Sequence, residues 1–451
     1  MNDPHFTLAP RTMSGQTPTA SRPFRSLPSS RGDGESSRCP CWLTMATLAL
    51  VVFTVPYTTN YIPWAYENGF FPIRPAVYQV TAMLMCMMVI MGRKPEFTMT
   101  NVLLVLFHLA YVFDAVVVSR FDHPRGESYP MMVHGGILAS VITLTWFVGV
   151  VQRLSRLPVM VASALTVMIG SLSNLAEWFG VHDFSIVMGR AAGFHADPNN
   201  SAIAIVLALA VFLSLSKNMG WSFALMGLSF VAVAITLSRS GIIAELILCI
   251  SYLIVSYRKR PALVTKAVVI TLPLVMAGVV FLSANMSSQV LRQSDVKNRL
   301  VALTGGDSQK MVSGERMKDL TDGLRAVRLE PVTGYGVGAG STRWQPHNQL
   351  VTIWIDGGVI FASLYLLMLA ALAFKCAVAN GRGGLCLIAV IIFIPFSQVL
   401  HTYLGYWITM VVLVQITSDR FFVIQWFQST PELDRRSPTS AQPTTPPSNY
   451  A

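Results

Sequence analysis

The stretch NNSAIAIVLALAVFLSLSKNMGWSFALMGLSFVAVAITLSRSGIIAELILCISYLIVSYRKR, residues 199–260, decides the fold. It contains three apolar runs, roughly 199–216, 220–237 and 240–257, parted only by short turns at Lys217 and Arg239. Each run is close to the roughly 20 residues that a helix needs to cross about 30 Å of hydrocarbon. The turns are too short for any excursion, so the three runs read as consecutive membrane helices.

The same pattern continues in both directions. Further apolar spans lie at roughly 41–59, 75–92, 100–118, 131–151, 157–175, 263–283, 350–373, 383–399 and 403–418. Together they predict an all-α membrane protein with about twelve transmembrane helices. Composition agrees: 53% of the 451 residues are hydrophobic and only 12% are charged, against about 25% charged in an ordinary soluble domain. The mean hydropathy is +0.53. These values exclude a soluble α/β enzyme. Residues 1–40 are rich in Ser, Pro and Arg and have no apolar core segment, so they read as a disordered tail rather than a signal peptide. Residues 419–451 end in a second disordered stretch with Pro431, Pro438, Pro443, Pro446 and Pro447.

Basic residues orient the spans. With the N-terminus inside, the inside segments carry nineteen Lys and Arg, and the short outside loops carry five: Arg74, Arg120, Arg125, Arg190 and Arg239. The remaining nine lie in one long connection, about 284–349, where the positive-inside rule does not operate. Both termini are then cytoplasmic, and the large extracytoplasmic loop joins the ninth and tenth helices. The formal net charge of +11 reflects this topology. No basic run is interleaved with aromatics as a nucleic-acid surface requires. The six cysteines (Cys39, Cys41, Cys86, Cys249, Cys376, Cys386) form no Cys-x-x-Cys pair, so neither a zinc site nor a disulfide framework is expected.

The organisation is thus a tail at 1–40, helices 1–9 over 41–283, the loop at 284–349, helices 10–12 over 350–418 and a tail at 419–451. In the loop, Ser313 is placed to cap a helix from Glu315 to about Arg328. Its stripe of Met317, Leu320, Leu324 and Val327 predicts a helix lying on the membrane surface. Lys318, Asp319, Asp322, Arg325 and Arg328 read as its solvated face.

Four polar patches fall on the outside face. The first runs from Arg190 to Asn200 and ends in Asp197-Pro198-Asn199, an N-cap followed by a proline at the first helical position. Helix N-termini favour anions, and a guanidinium suits phosphate. Plain capping, with Arg190 at the headgroups, accounts for the same residues equally well. The second is Thr236-Leu-Ser-Arg239-Ser-Gly241, where Arg239 either snorkels to water or faces a pocket shared with Arg190. The third is Ser313-Gly-Glu-Arg316. The fourth runs from Gly334-Tyr-Gly-Val-Gly338 to Pro346-His347-Asn348 at the start of the tenth span. His347 is either a passive interfacial residue or the group best suited to take a proton near neutral pH. Asp356, nine residues on, faces away from His347 on a continuous helix. It lies about 20° from Gln349, which suits a hydrogen bond to another helix. No Asp-x-Asp, Walker A or Gly-x-Ser-x-Gly motif is present.

Arg190-x-x-Gly193 with Pro198-Asn199, Ser238-Arg239 at a helix start, Arg316, and Gly-x-Gly followed by His347-Asn348 and Asp356 together resemble the O-antigen ligase and O-antigen polymerase superfamily. The likeness covers roughly 160–375 in motif. The acid is Asp356 where such proteins usually have Glu, and Phe361 and Ala362 stand where a second glycine is usual. The resemblance implies a bacterial inner-membrane, multi-pass glycosyltransferase with a periplasmic active face. Its donor would be a glycan on undecaprenyl diphosphate, and its acceptor lipid A–core or another glycan. It implies His347, Arg190 and Arg239 as catalytic residues, Arg316, Asn199 and Asn348 as substrate-binding residues, inversion at the anomeric carbon, and no metal or cofactor. Membrane lipids are the other expected partner and nucleic acid is not one. A flippase or transporter of the same pathway is the alternative, with Asp114, Glu245 and Asp356 as its candidate mid-span charges.

Overall fold

The computed structural model describes residues 54–75 and a few neighbours, 99–118, 156–258, parts of 260–277, 314–378, 383–397, 400 and 403–417. The tails, the 131–151 span, most of 75–92, residues 284–313 with Ser313, and the C-terminal part of 263–283 lie outside the described residues. Every regular element among those described is helical. The helices are α1 (Tyr61–Glu67), α2 (Met99–Phe113), α3 (Arg156–Trp178), α4 (Pro198–Leu215), α5 (Met219–Ile235), α6 (Arg239–Tyr257), α7 (Gly314–Leu329), α8 (Gln349–Val378), α9 (Gly383–Phe393) and α10 (Leu404–Thr417). Stretches of α3, α4, α6 and α8 are at least 18 residues long and apolar enough to cross a membrane. Shorter apolar helices fall in α2, α5, α9 and α10.

α4 is the centre of the bundle and packs against α3, α5, α6, α9 and α10. Its sequence is apolar all round because it is surrounded, and 78% of its hydrophobic window is buried. Small residues allow the close contacts that membrane helices rely on. A side chain at Gly241 of α6 would stand 2.6 Å from the Ala202 Cβ of α4. Polar links then fix neighbours. Asn174 of α3 donates to the Ala232 carbonyl of α5 at 3.3 Å and accepts from Ser201 of α4 at 3.0 Å. Ser229 of α5 donates to the buried Glu245 of α6 at 2.5 Å. The same core joins α2, α8 and α10 through Phe107, Tyr365 and Trp407, with a hydrogen bond between the Tyr365 and Tyr406 hydroxyls.

The tenth span differs from its expectation of one continuous helix. α8 breaks at Gly357 (φ −124°, ψ 22°) and Gly358 (φ 63°, ψ −158°). The break strips the last carbonyls of its first segment of their helical donors, and the glycine-rich loop supplies replacements. Tyr335 N–H donates to the Ile355 carbonyl at 2.7 Å, and Gly336 N–H to the Asp356 carbonyl at 2.8 Å. The Asp356 carboxylate accepts from Gly340 N–H at 2.7 Å. Asp356 therefore holds this loop and the π-helical turn Gly340–Trp344 that starts there. Gln349, in the first turn of α8, accepts from Leu400 N–H at 2.7 Å and so holds another part of the bundle. From the opposite side, Asp114 at the end of α2 accepts from Val337 N–H at 3.0 Å.

The glycines of this clasp are required by close approach. A Cβ on Gly358 would lie 2.0 Å from the Val332 carbonyl oxygen, and one on Gly334 would lie 2.6 Å from the Asp356 carbonyl. Gly358 also has a backbone conformation that is essentially glycine-only, worth about 1–3 kcal/mol of strain for other residues. The expected outcome for Gly358→Ala is a loss of at least about 2–3 kcal/mol. It would be read as a lowered thermal midpoint and a poor yield of monodisperse protein in detergent.

The loop helix α7 packs part of its apolar stripe on α8. Its buried face is Ala326, Val327 and the half-buried Leu320, packed on Val351 and Ile355 of α8. Gly323 shares that face, where a Cβ would meet Pro346 at 2.7 Å. Met317 and Leu324 are 55% and 45% exposed. The apolar stripe of the sequence is thus split. Leu320 and Val327 turn to the protein because Gly323 and Ala326, three and six residues on from Leu320, let α7 sit close to α8.

Candidate active site

Three helix N-termini converge on one region, each with its own cap. Asp197 begins α4, its carboxylate accepting from Asn199 N–H at 2.7 Å, with Pro198 first in the helix. Ser238 begins α6 and accepts from Gly241 N–H at 3.4 Å. Asn348 begins α8, its Oδ1 accepting from Leu350 and Val351 N–H, both at 3.1 Å. Each terminus brings N–H groups and the positive end of a helix dipole.

Arg190 ties the first two together. It is 5% exposed. Its Nε donates to the Thr236 carbonyl at 2.8 Å and its Nη2 to Asn199 Oδ1 at 3.1 Å. Beside it, Ala191 N–H donates to the Ile235 carbonyl at 3.2 Å. The guanidinium is therefore fixed in plane by the turn that leads into Arg239. Arg239, the first residue of α6, is partly buried at that turn. The first and second sequence patches form one structure, with Arg190, Asn199 and Arg239 on it.

His347 brings in the other two patches. Its Nε2 lies 3.7 Å from Asp319 Oδ2 of α7, and the two side chains are 34% and 37% exposed. That separation is too long for a hydrogen bond. Burial holds the imidazole pKa below its ordinary 6.5, and the positive charge of Arg316 lowers it further. Asp319 and Asp197 pull the other way without reversing the shift. The ring is thus neutral at pH 7, and it senses Arg316 and Asp319 from α7 and Asp197 from the start of α4. The carboxylate at His347 is that of Asp319, which the sequence placed on the solvated face. His195, also close by, is different in kind. Burial pushes it down to about 4. Its Nε2 lies 3.1 Å from the Thr58 carbonyl, which can only accept, so this ring is a neutral strut.

The backbone is strained at these same places. Ala196 (φ 58°), Leu237 (φ 52°), Gln345 (φ 45°) and His347 (φ 51°) all occupy the left-handed region that side chains other than glycine avoid. Four of the five such non-glycine residues described lie in the patches around this site, and strain of this kind gathers where function needs a fixed geometry.

Residues 223–366 match the O-antigen ligase family model. This segment of about a third of the chain is similar to an O-antigen ligase domain, and it lies among helices long and apolar enough to cross a membrane. The matched segment runs from α5 through Arg239, Arg316, the glycine clasp and His347 into α8. Arg190 and Asn199 precede it, so their place beside it rests on the hydrogen bonds above. No curated protein matches the chain.

Two acids that shape the candidate site escaped the sequence reading. Glu177, at the end of α3, accepts four backbone N–H groups: Phe184 at 3.1 Å and Ser185 at 2.5 Å on one oxygen, Ala192 at 2.6 Å and Gly193 at 2.9 Å on the other. It folds the 184–193 loop and so places Arg190. Its signal was available: a carboxylate in the last turn of a helix opposes the helix dipole, which marks it for another task. Asp319 shares its helix face with Gly323 and Ala326, four and seven residues on. Small residues at that spacing mark a packed face rather than a solvated one.

Proposed function

We propose that the chain transfers a glycan from undecaprenyl diphosphate to a hydroxyl of lipid A–core or of a second glycan, at the periplasmic face of the bacterial inner membrane. The observation that carries this reading is one region holding three helix N-termini, the fixed guanidinium of Arg190, the partly buried Arg239 and a neutral imidazole. In the reaction the acceptor oxygen attacks the anomeric carbon and the carbon–oxygen bond to the diphosphate breaks. The electron pair leaves with the lipid diphosphate, and the anomeric centre inverts. His347 takes the acceptor proton, a role worth roughly 10²–10⁴-fold. Arg190, Arg239 and the N–H groups of α4 and α6 stabilise the charge that grows on the leaving group. Arg316 keeps His347 deprotonated and lies where a second phosphate could reach. Asn199 orients Arg190, and Asn348 presents His347 from the cap of α8.

The acids that a carrier would need mid-membrane are occupied differently. Asp114 and Asp356 hold the glycine clasp, and Glu245 joins α5 to α6. This supports transfer over transport. The deciding experiment is the glycan profile of a deletion strain. Single repeats on an intact anchor mean that the enzyme polymerises. A bare core with lipid-linked polymer accumulating means that it ligates. An unchanged profile removes the proposal.

Since permanent Arg charges do the electrostatic work, transfer in purified membranes is expected to continue in EDTA at close to its initial rate. Full loss in chelator, restored by Mg²⁺ or Mn²⁺, would show that the guanidiniums are not sufficient.

A further inference from the structure

Beside the candidate site, and outside the matched domain, lies a nest of aromatic rings contributed by α1 and the loop that Glu177 folds. Phe194 is its hub, with ring centroids 5.2 Å from Tyr61, 4.9 Å from Trp64 and 5.1 Å from Phe184. Phe70 stacks on Trp64, with centroids 5.5 Å apart and planes 20° apart. His182 closes the group edge-on to Trp64 at 5.6 Å and to Phe184 at 4.5 Å. Asn60 pins the hub, donating to the Phe194 carbonyl at 2.9 Å.

Two features set this nest apart from ordinary packing. It is open: Phe70 is 69% exposed and Tyr61 39% exposed. It is also continuous with the candidate site. Phe194 stands between Gly193, held by Glu177, and Asp197, whose charge reaches His347. A girdle at the headgroups would be made of Trp and Tyr spread around the bundle. Here three of the six rings are Phe, gathered at one place, with the exposed polar groups of Glu67, Asn68 and Asp183 among them.

We infer that this nest is a glycan-binding subsite: Phe70 on Trp64 offers a ring face to a pyranose of the sugar chain, and the nearby carboxylates and amide accept or donate to its hydroxyls. Pyranoses carry a face of C–H groups edged by hydroxyls. An aromatic ring rimmed with carboxylates and amides is the complementary surface, since its π face is negative and its rim accepts hydrogen bonds. The subsite deepens the transferase reading and rests on it for its place in the reaction: it would hold the chain while the linkage sits at Arg190 and His347.

The test uses the full chain in lipid nanodiscs and two probes. One is the oligosaccharide released by partial acid hydrolysis from the producing strain's own surface polysaccharide. The other is undecaprenyl diphosphate without sugar. The oligosaccharide is expected to bind the parent protein. Phe70→Ala should weaken that binding roughly three- to tenfold, Phe70→Trp should keep it, and neither should alter binding of undecaprenyl diphosphate. Phe70 is exposed, so the variants should fold. Equal oligosaccharide affinity in parent and Phe70→Ala, or no binding to the parent, would overturn the subsite. Unchanged sugar affinity with loss of the variant from the membrane would mark the rings as lipid anchors and overturn it as well. Failure of undecaprenyl diphosphate to bind the parent would count against the transferase reading and leave the subsite standing.

Discussion

His347→Ala is expected to lower the transfer rate roughly 10²–10⁴-fold while leaving protein level and membrane localisation unchanged. The imidazole is one-third exposed, so its removal opens little space in the interior. The adjacent turn is held by Asn348 as the cap of α8, which the substitution leaves in place. Single-turnover transfer in membrane vesicles, normalised to protein by immunoblot, measures the effect. A variant within threefold of the parent would remove His347 from the chemistry.

The pH profile adds a sharper form of the same prediction. Only the neutral ring can accept a proton, so the rate should fall as pH drops through the pKa of His347. Burial and the Arg316 charge place that pKa below 6.5, so the acid limb should lie below 6.5 and the rate should be level from pH 7 to 8. Arg316→Ala removes a positive neighbour, makes the charged ring easier to form, and should move the limb up. Asp319→Asn removes a negative neighbour and should move it down. A limb that ignores both substitutions would mean that the titrating group is not His347.

The membrane architecture was legible because hydrophobic length is a local property. α3, α4, α5, α6, α9 and α10 lie where apolar runs place them, and the Asp197 cap follows from the residue itself and the Pro198 beside it. What the sequence hid was held by partners far apart. Asp114 and Val337 are 223 residues apart in sequence, and nothing local says that a mid-span acid serves a loop's N–H group. The break in α8 was hidden for a different reason. Gly357-Gly358 sit within an apolar run, where two glycines cost a helix little enough to be read through. Only the glycine loop, packed too close for any Cβ, makes the break stable. The candidate site divides the same way. The residue types were visible, but the joining of the patches through Thr236, Asn199 and Asp319 was not. Those contacts use a backbone carbonyl, a cap residue and an acid that the sequence assigns to a solvated face.

Arg239→Ala and Arg190→Ala should both lower transfer, each by about 2.7–4 kcal/mol of barrier, or roughly 10²–10³-fold, and they should differ in everything else. Arg190 is buried, and two of its N–H groups hold the Thr236 carbonyl and the Asn199 side chain. Removing it leaves those acceptors without donors in the interior, so Arg190→Ala should also lower thermal stability, by about 1–3 kcal/mol. Arg239 opens α6 after a Ser238 cap that survives the substitution, so Arg239→Ala should melt close to the parent while its activity falls. Lysine separates charge from geometry. Arg190→Lys keeps the charge but cannot span the Thr236 carbonyl and Asn199 with a planar fork, so it should behave nearly as badly as alanine. Arg239→Lys should recover part of the rate, since a point charge at a helix N-terminus still attracts a diphosphate. The rate constants and melting temperatures of these four variants decide the matter together. If Arg239→Ala kept full activity, the growing charge on the leaving group would have to be met elsewhere. The convergence of helix N-termini around Arg190 would then be an architectural feature only.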